Sequence, residues 1–232
     1  MVESSLGLGI AARRVLADVV TDDLRDAIIA HELEPGRRLA EDDLANQMGV
    51  SRGPVREALA RLEREGLVVI ERHRGARIAS WARTDVEEIF SLRLILEQLA
   101  IEWACKNATA ADIDALESVV KEFRNLDDKQ RTIKAVSKLD LEFHTKIFDA
   151  AHHDRLCRAW EILRSQIHSF LIYTWTRDEL INKTLMNSWD KDHRVFIEVI
   201  KERDLERGLK EIKAHVERGF TRVSRHFVND TI

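Results

Sequence analysis

Four side chains in the C-terminal half of this 232-residue chain, Asp140, His144, His193 and His215, have the types and spacing to hold a metal ion. Asp140 and His144 are four positions apart in a helical pattern, so they share a face and can chelate one ion. His193 and His215 stand eleven residues to either side of Asp204, where the pattern turns. In an antiparallel helical hairpin such residues are level, each about 15 Å from the loop at ~1.5 Å rise per residue. Three neutral imidazoles and a carboxylate suit a divalent transition metal (Zn, Ni, Mn or Fe), with open positions for water or a small ligand. The same residues also fit plainer roles: an Asp–His surface pair, or buried imidazoles satisfied by hydrogen bonds. Arg164 lies as far after His152 as Asp140 lies before it, which makes those two level as well. Arg93 sits on a mainly apolar helix face. Both guanidinium groups are expected in the same cavity. His31, His73, His152, His153, His168 and His226 read as structural or solvated.

A second constellation lies near the N-terminus, in the stretch Leu39 to Ala79. Val55, Ala58, Leu59 and Leu62 recur at i, i+3, i+4 and i+7, so one stripe of a helix is apolar and should be buried. Arg52 and Arg56 lie elsewhere on that wheel, four apart and adjacent on one face. Ser51 is placed to cap the helix, Pro54 is early enough to be tolerated, and Gly49 supplies a turn. Before the turn, Leu44, Ala45 and Met48 form the inner side of a shorter helix whose first turn carries Glu41, Asp42 and Asp43, where the helix dipole favours negative charge. After the second helix, Leu67 to Ile70 suits a strand and Arg77 to Ala79 can return beside it, with His73, Arg74 and Gly75 at the tip. This order predicts a winged helix-turn-helix, whose second helix enters the DNA major groove while the basic wing reaches the backbone or minor groove. The plain alternative is a helical hairpin with arginines on a solvated face.

The elements that position these groups follow from the pattern on either side. Val15, Val19, Leu24, Ile28 and Ile29 suggest an amphipathic helix from about Arg13 to His31, while residues 1 to about 12 give no firm signal. Glu34-Pro35-Gly36 is a turn, and Arg37 to Leu39 suits a short strand beside the wing. The pattern breaks around Ser80 to Thr84, so we expect a domain over residues 1–80 and another over 81–232. Beyond the break no proline interrupts the chain as far as Phe227. Six helices are expected there: Thr84 to about Lys106, Thr109 to about Leu126, Thr132 to Ala151, Asp154 to about Trp175, Thr184 to Arg203 and Asp204 to about Phe227. Short loops between helices of this length make an antiparallel bundle. The expected fold is therefore mostly α, a winged helix-turn-helix followed by an all-α bundle.

Composition narrows the function classes. Hydrophobic residues make up 44% and charged residues 34%, the balance of a soluble globular protein rather than a disordered or membrane chain. Leu6 to Ala12 is too short and wrongly flanked for a signal peptide, and no segment approaches transmembrane length. Cys105 and Cys157 form no CxxC pair, which points to a reducing cytoplasm. The net charge of −4 hides an asymmetry: from Ser51 to Ser80 seven Arg face four Glu, a local +3, which leaves −7 elsewhere. Positive charge is concentrated where a DNA-binding motif needs it.

The stretch VSRGPVREALARLEREGLV, with RGARIA after it, resembles the DNA-binding domain of the GntR family of bacterial transcription regulators. The resemblance implies that Arg52 and Arg56, beside Ser51, contact operator bases or phosphates, and that Arg74 with Gly75 approaches the minor groove. Asp42 departs from the pattern where many members have Arg, which removes a phosphate or base contact, and Gly53 departs where Thr is common. The bundle, from about Thr84 to Phe227, resembles the FCD ligand-sensing domain of the FadR subfamily, on the segment DLEFHTKIFDAA, on His193 to Asp204 with His215 following, and on Arg93 with Glu97. That likeness implies that Asp140, His144, His193 and His215 are all metal ligands and that the effector is a small carboxylic acid or related metabolite. His153 stands where many members have Asn, a difference expected to alter loop geometry more than metal binding.

Together these readings describe a cytoplasmic homodimer that binds a palindromic operator on double-stranded DNA, has no membrane partner, and acts as a repressor released by a small carboxylate bound to the metal, Arg93 and Arg164. The competing reading is a metal-dependent enzyme fused to a DNA-binding domain. It lacks an HExxH motif or paired catalytic carboxylates beside the four ligands. A third is a regulator whose metal is purely structural.

Overall fold

The computed structural model describes residues 8–72 and 74–227, and the side chains among them outside 8–14 and 179–187. His73, expected at the wing tip, lies outside the described residues. Two compact units meet at the bond between Ser80 and Trp81.

The first unit is built on α1 (Leu8–Ile29), α2 (Glu41–Met48) and α3 (Arg52–Arg64), with a small antiparallel sheet. Helix α1 starts five residues before the expected Arg13. Its inner stripe also differs from expectation: Ala17, Val20, Thr21, Leu24 and Ile28 are buried, whereas Val15 and Val19 are 61% and 51% exposed. Steps of three and four back from Leu24 keep one face; Val15 and Val19 stand nine and five positions from it and fall on the other. Against this face lies the predicted stripe of α3, Val55, Ala58, Leu59 and Leu62, all essentially inaccessible. Arg25 closes the packing with two 2.7 Å hydrogen bonds to the Glu65 carboxylate. Gly49 ends α2 at φ 64°, a left-handed conformation that glycine adopts without steric cost.

The strands β1 (Arg38–Leu39), β2 (Val68–Glu71) and β3 (Gly75–Ile78) run in the order β1-β3-β2. Leu39 pairs with Ala76, Val68 with Ile78 and Glu71 with Gly75. The hairpin turns through Gly75, whose φ of 84° would strain any other side chain. That backbone demand accounts for the glycine before any contact with DNA is considered.

The second unit comprises α4 (Arg83–Asn107), α5 (Ala110–Asn125), α6 (Ile133–Ala150), α7 (Asp154–Arg177), α8 (Glu179–Glu202) and α9 (Leu205–Ser224). Thr109 and Thr132 cap α5 and α6, accepting from the backbone N–H of Asp112 and Ala135. Thr84 does not cap α4. The helix begins one residue earlier, and Asp85 accepts from the backbone N–H of Ala82 at 2.6 Å. His153 caps α7, its ring Nδ1 accepting from the backbone N–H of Leu156. Helix α8 begins at Glu179 rather than Thr184. Gly208 lets α9 approach its neighbours, because a Cβ there would stand 2.7 Å from Val199 and 2.8 Å from Ile101.

Candidate functional site

In the second unit, α6, α8 and α9 bring three imidazoles together. His144, His193 and His215 are buried, their ring centroids are 5.0 to 5.6 Å apart, and one ring nitrogen of each lies within 4.8 Å of the others. His144 Nε2 is 3.2 Å from His215 Nε2. Asp140 adjoins this triangle without joining it: its Oδ1 accepts from Trp189 Nε1 at 2.9 Å and lies 3.1 Å from His193 Nε2. Trp189 also stacks on His193 at 4.0 Å, and Phe143 meets the same ring edge-on at 4.9 Å. These aromatic walls keep water away and limit ring rotation.

The outer nitrogens decide which lone pairs face inward. His193 Nδ1 lies 2.7 Å from the Trp189 carbonyl, a contact only an N–H can make, so Nε2 carries the lone pair. That Nε2 is buried and has no hydrogen-bond partner among the described residues. His144 Nδ1 lies 2.9 Å from Glu97 Oε2, at an angle too bent for a good hydrogen bond, which favours the proton on that side and the lone pair on Nε2. The 3.2 Å approach of His144 Nε2 to His215 Nε2 is met either by an N–H on one ring or by a cation shared by two lone pairs. The donor set therefore fits a divalent ion, with Trp189 O and Glu97 as outer groups orienting the ligands.

Charge agrees. Burial alone would raise the Glu97 carboxyl, but Arg93 and His144 outweigh it and hold it at about 2. Burial likewise opposes ionisation of Asp140; positive charge placed at the adjoining rings, at His193 first, holds its carboxyl well below the usual carboxylate range. Burial, then the neighbouring imidazoles, pushes His215 well below its usual range and keeps it in the neutral form that ligates. Among the described residues Arg93 is the one guanidinium buried beside Glu97 and Asp140, and a cation among the rings would add to the positive charge facing these two carboxylates.

Arg93 is only 2% exposed, 2.5 Å from Glu97 Oε1 and 3.4 Å from His144 Nε2. Arg164 is not in the cavity. It lies on the outer side of α7 and pairs with Glu161 at 2.8 Å. The hairpin arithmetic addresses only level along the helices and not the face a side chain takes, and level alone does not bring two side chains together. The second guanidinium is Arg222, on α9 seven positions after His215 and therefore on the same face. Gly219 lies between them and leaves the approach open. Arg222 Nε donates to the Arg218 carbonyl at 3.2 Å, and burial lowers its pKa. The i+7 spacing from His215 was the available signal. The cavity here, bounded also by Trp175, Asp192 and Trp189, has about 20 Å³ of free space, room for one ion or water.

In the first unit, Arg52 and Arg56 project from the first two turns of α3 with side chains 59% and 68% exposed. Both face acids on α2. Arg56 donates through Nε and Nη2 to the Glu41 carboxylate at 3.1 and 2.7 Å. Arg52 sets Nε 3.0 Å from Asp42 Oδ1 and Nη2 3.7 Å from Glu41 Oε2. Ser51 occupies the N-cap position in an extended conformation, yet its hydroxyl makes no capping bond. Arg74 is exposed on the wing, 3.4 Å from Glu71.

Comparison with known proteins covers both units. Residues 16–78 match the family described as bacterial regulatory proteins, gntR family, and residues 88–218 match the FCD domain. The chain is 30% identical over 194 residues to the uncharacterized HTH-type transcriptional regulator YdhC of Bacillus subtilis (strain 168), covering 84% of each chain. It is 30% identical over 193 residues to the gluconate operon transcriptional repressor of the same organism, covering 80% of this chain and 75% of that one. The solved structure of E. coli McbR/YncC superimposes with a TM-score of 0.77 at 23% identity, over 91% of this chain and 98% of that one, which establishes likeness of fold. These relatives are transcriptional regulators rather than enzymes. Among the described residues no helix is long and apolar enough to cross a membrane.

Proposed function

We propose, from the premise that this chain belongs to the GntR family of bacterial regulatory proteins with an FCD domain and is a transcriptional regulator, that a small carboxylate bound at a metal in its bundle controls its hold on an operator. The observation that carries the reading is the convergence of three imidazole nitrogens within 4.8 Å, bordered by Arg93 and Arg222. A divalent metal there, held by His144, His193 and His215 with Asp140 beside them, supplies a Lewis-acidic position for a carboxylate oxygen. Arg222 at the mouth then offers a charge-assisted hydrogen bond to the second oxygen. The DNA-binding side chains are Arg52 and Arg56 on α3 and Arg74 on the wing, with Ser51 at the start of α3 and Gly75 shaping the wing turn. The protein acts as a cytoplasmic homodimer, since one winged helix reads a half-site and a symmetric pair reads a palindrome. Repression is the mode suggested by the relative named for the gluconate operon.

Control requires that the effector bind one arrangement of the protein better than another, because only that difference shifts operator affinity. The 20 Å³ cavity admits an ion but not a metabolite, so an effector must enlarge it. The same small volume favours a second reading, in which the metal is structural and no effector reaches it. Elemental analysis of the purified protein, followed by calorimetric titration with small carboxylates including gluconate and a gel shift at saturation, separates the two. Bound metal and a carboxylate that releases DNA support the sensor. Bound metal with no carboxylate response supports the structural role. No metal in the wild type, or full occupancy in His193→Ala, removes the metal assignment.

A further inference from the structure

On the DNA-facing side of α3, positive charge is largely neutralised. Arg52 and Arg56 face Glu41 and Asp42, whereas the wing carries exposed Arg72 and Arg74. A guanidinium has five N–H groups on two usable edges: a side edge of Nε and one Nη2 hydrogen, and an end edge shared by Nη1 and Nη2. The contacts of Arg56 with Glu41 use its Nε and Nη2. Those of Arg52 with Asp42 and Glu41 use the same two atoms. In Arg56 the side edge is occupied, in Arg52 its Nε is held with Nη2 3.7 Å from Glu41, and among the described residues the end edge of each is left free, as a fork of two parallel donors.

We propose that Glu41 and Asp42 are specificity-determining residues that brace Arg56 and Arg52, fixing each end edge for bidentate donation to O6 and N7 of a guanine in the major groove. The inference rests on the reading of α3 as the recognition helix and adds which bases it reads and how. A braced guanidinium keeps its plane and direction, so an adenine, which offers N7 but a donor in place of O6, is rejected. An unbraced one swings to the nearest phosphate, which carries no sequence information. The carboxylates also repel phosphates, so these arginines add little to the general attraction of the protein for DNA. That attraction falls to the wing. Arg52 and Arg56 are four residues apart, about 6 Å along the helix, so the two guanines lie within about two base steps of each other in the half-site. Asp42, the position that departs from the family pattern, thus replaces a direct DNA contact by a brace for Arg52.

The test is selection from a randomised duplex library by the full chain, comparing wild type with Glu41→Ala, Glu41→Gln and Asp42→Asn, together with affinity for random-sequence DNA. The wild type should enrich a site with two guanines per half-site. Glu41→Ala should lose roughly tenfold of the guanine preference at one of them, and Asp42→Asn a smaller part at the other. Glu41→Gln, which keeps one acceptor oxygen, should fall in between. Affinity for random DNA should rise two- to tenfold in Glu41→Ala as the arginines are released to phosphates. A wild-type site without guanine at either position overturns the proposal, and so does an Ala variant with unchanged base preference. Failure of the wild type to enrich any sequence overturns it together with the recognition-helix reading. Because Glu41 lies on the surface of α2, thermal unfolding of each variant provides the folding control.

Discussion

Two of the chain's arginine–carboxylate pairs, one in each unit, share their chemistry and differ in setting. In the bundle, Arg93 and Glu97 pair at 2.5 Å with side chains 3% and 2% exposed, and Glu97 continues to His144. On α2 and α3, Glu41 pairs with Arg56 at 2.7 Å with side chains 28% and 68% exposed. A buried pair has no water to replace a lost partner, so it fixes the geometry around it and resists change. An exposed pair contributes little to stability, yet it can hold a guanidinium's direction while leaving its unused donors to an incoming ligand. One arrangement builds a site; the other presents one.

The same truncation in the two regions tests the contrast most strongly. Glu97→Ala takes from the buried Arg93 the carboxylate it is hydrogen-bonded to and should cost about 3 to 5 kcal/mol in chemical denaturation. Glu41→Ala should leave the denaturation midpoint nearly unchanged. Comparable losses in both would show that burial does not separate them. Acid provides a second, smaller lever. The folded-state pKa of His215 lies well below its unfolded value near 6.5, so the unfolded chain takes up a proton that the folded one refuses. Metal-free protein should therefore lose stability as pH falls below about 6.5, by up to about 2 kcal/mol at pH 5 for this group alone. The depressed carboxyls of Glu97 and Asp140 continue the loss below about pH 4, as the unfolded chain takes up protons there first. A flat Tm between pH 7 and 5 in chelated protein would contradict the neutral, buried state of His215. In the first unit, Arg52→Ala should weaken operator binding about tenfold in a gel shift while leaving metal content unaltered.

How far the sequence revealed each region follows from the kind of information each needs. The stripe of α3 and the convergence of His144, His193 and His215 come from periodicity and from level within a hairpin, and both are arithmetic on one or two helices. The face of α7 that carries Arg164 depends on how three helices rotate against each other, and no spacing within α6 and α7 specifies that. Val15 and Val19 misled for a related reason: β-branched residues on an outer face look the same in the sequence as those on an inner one, and the small Ala17 that sits inside is easily overlooked. The ion pairs between α2 and α3 escaped notice because Glu41 already had a sufficient local explanation at a helix N-terminus.

Arg164 and Arg222 give the comparison its smallest expected effect and its sharpest control. Both are half-buried arginines of the same unit, and only Arg222 borders the cavity with His193 and His215. Arg164 is already satisfied by Glu161, an i,i+3 surface pair of low energetic weight. Arg222→Ala should weaken carboxylate binding about tenfold in calorimetric titration, with metal content retained. Arg164→Ala should change neither. If Arg164→Ala instead abolished effector response at full metal occupancy, the ligand would enter from the outer face of α7, and the cavity beside the histidines would be reduced to the seat of a structural ion.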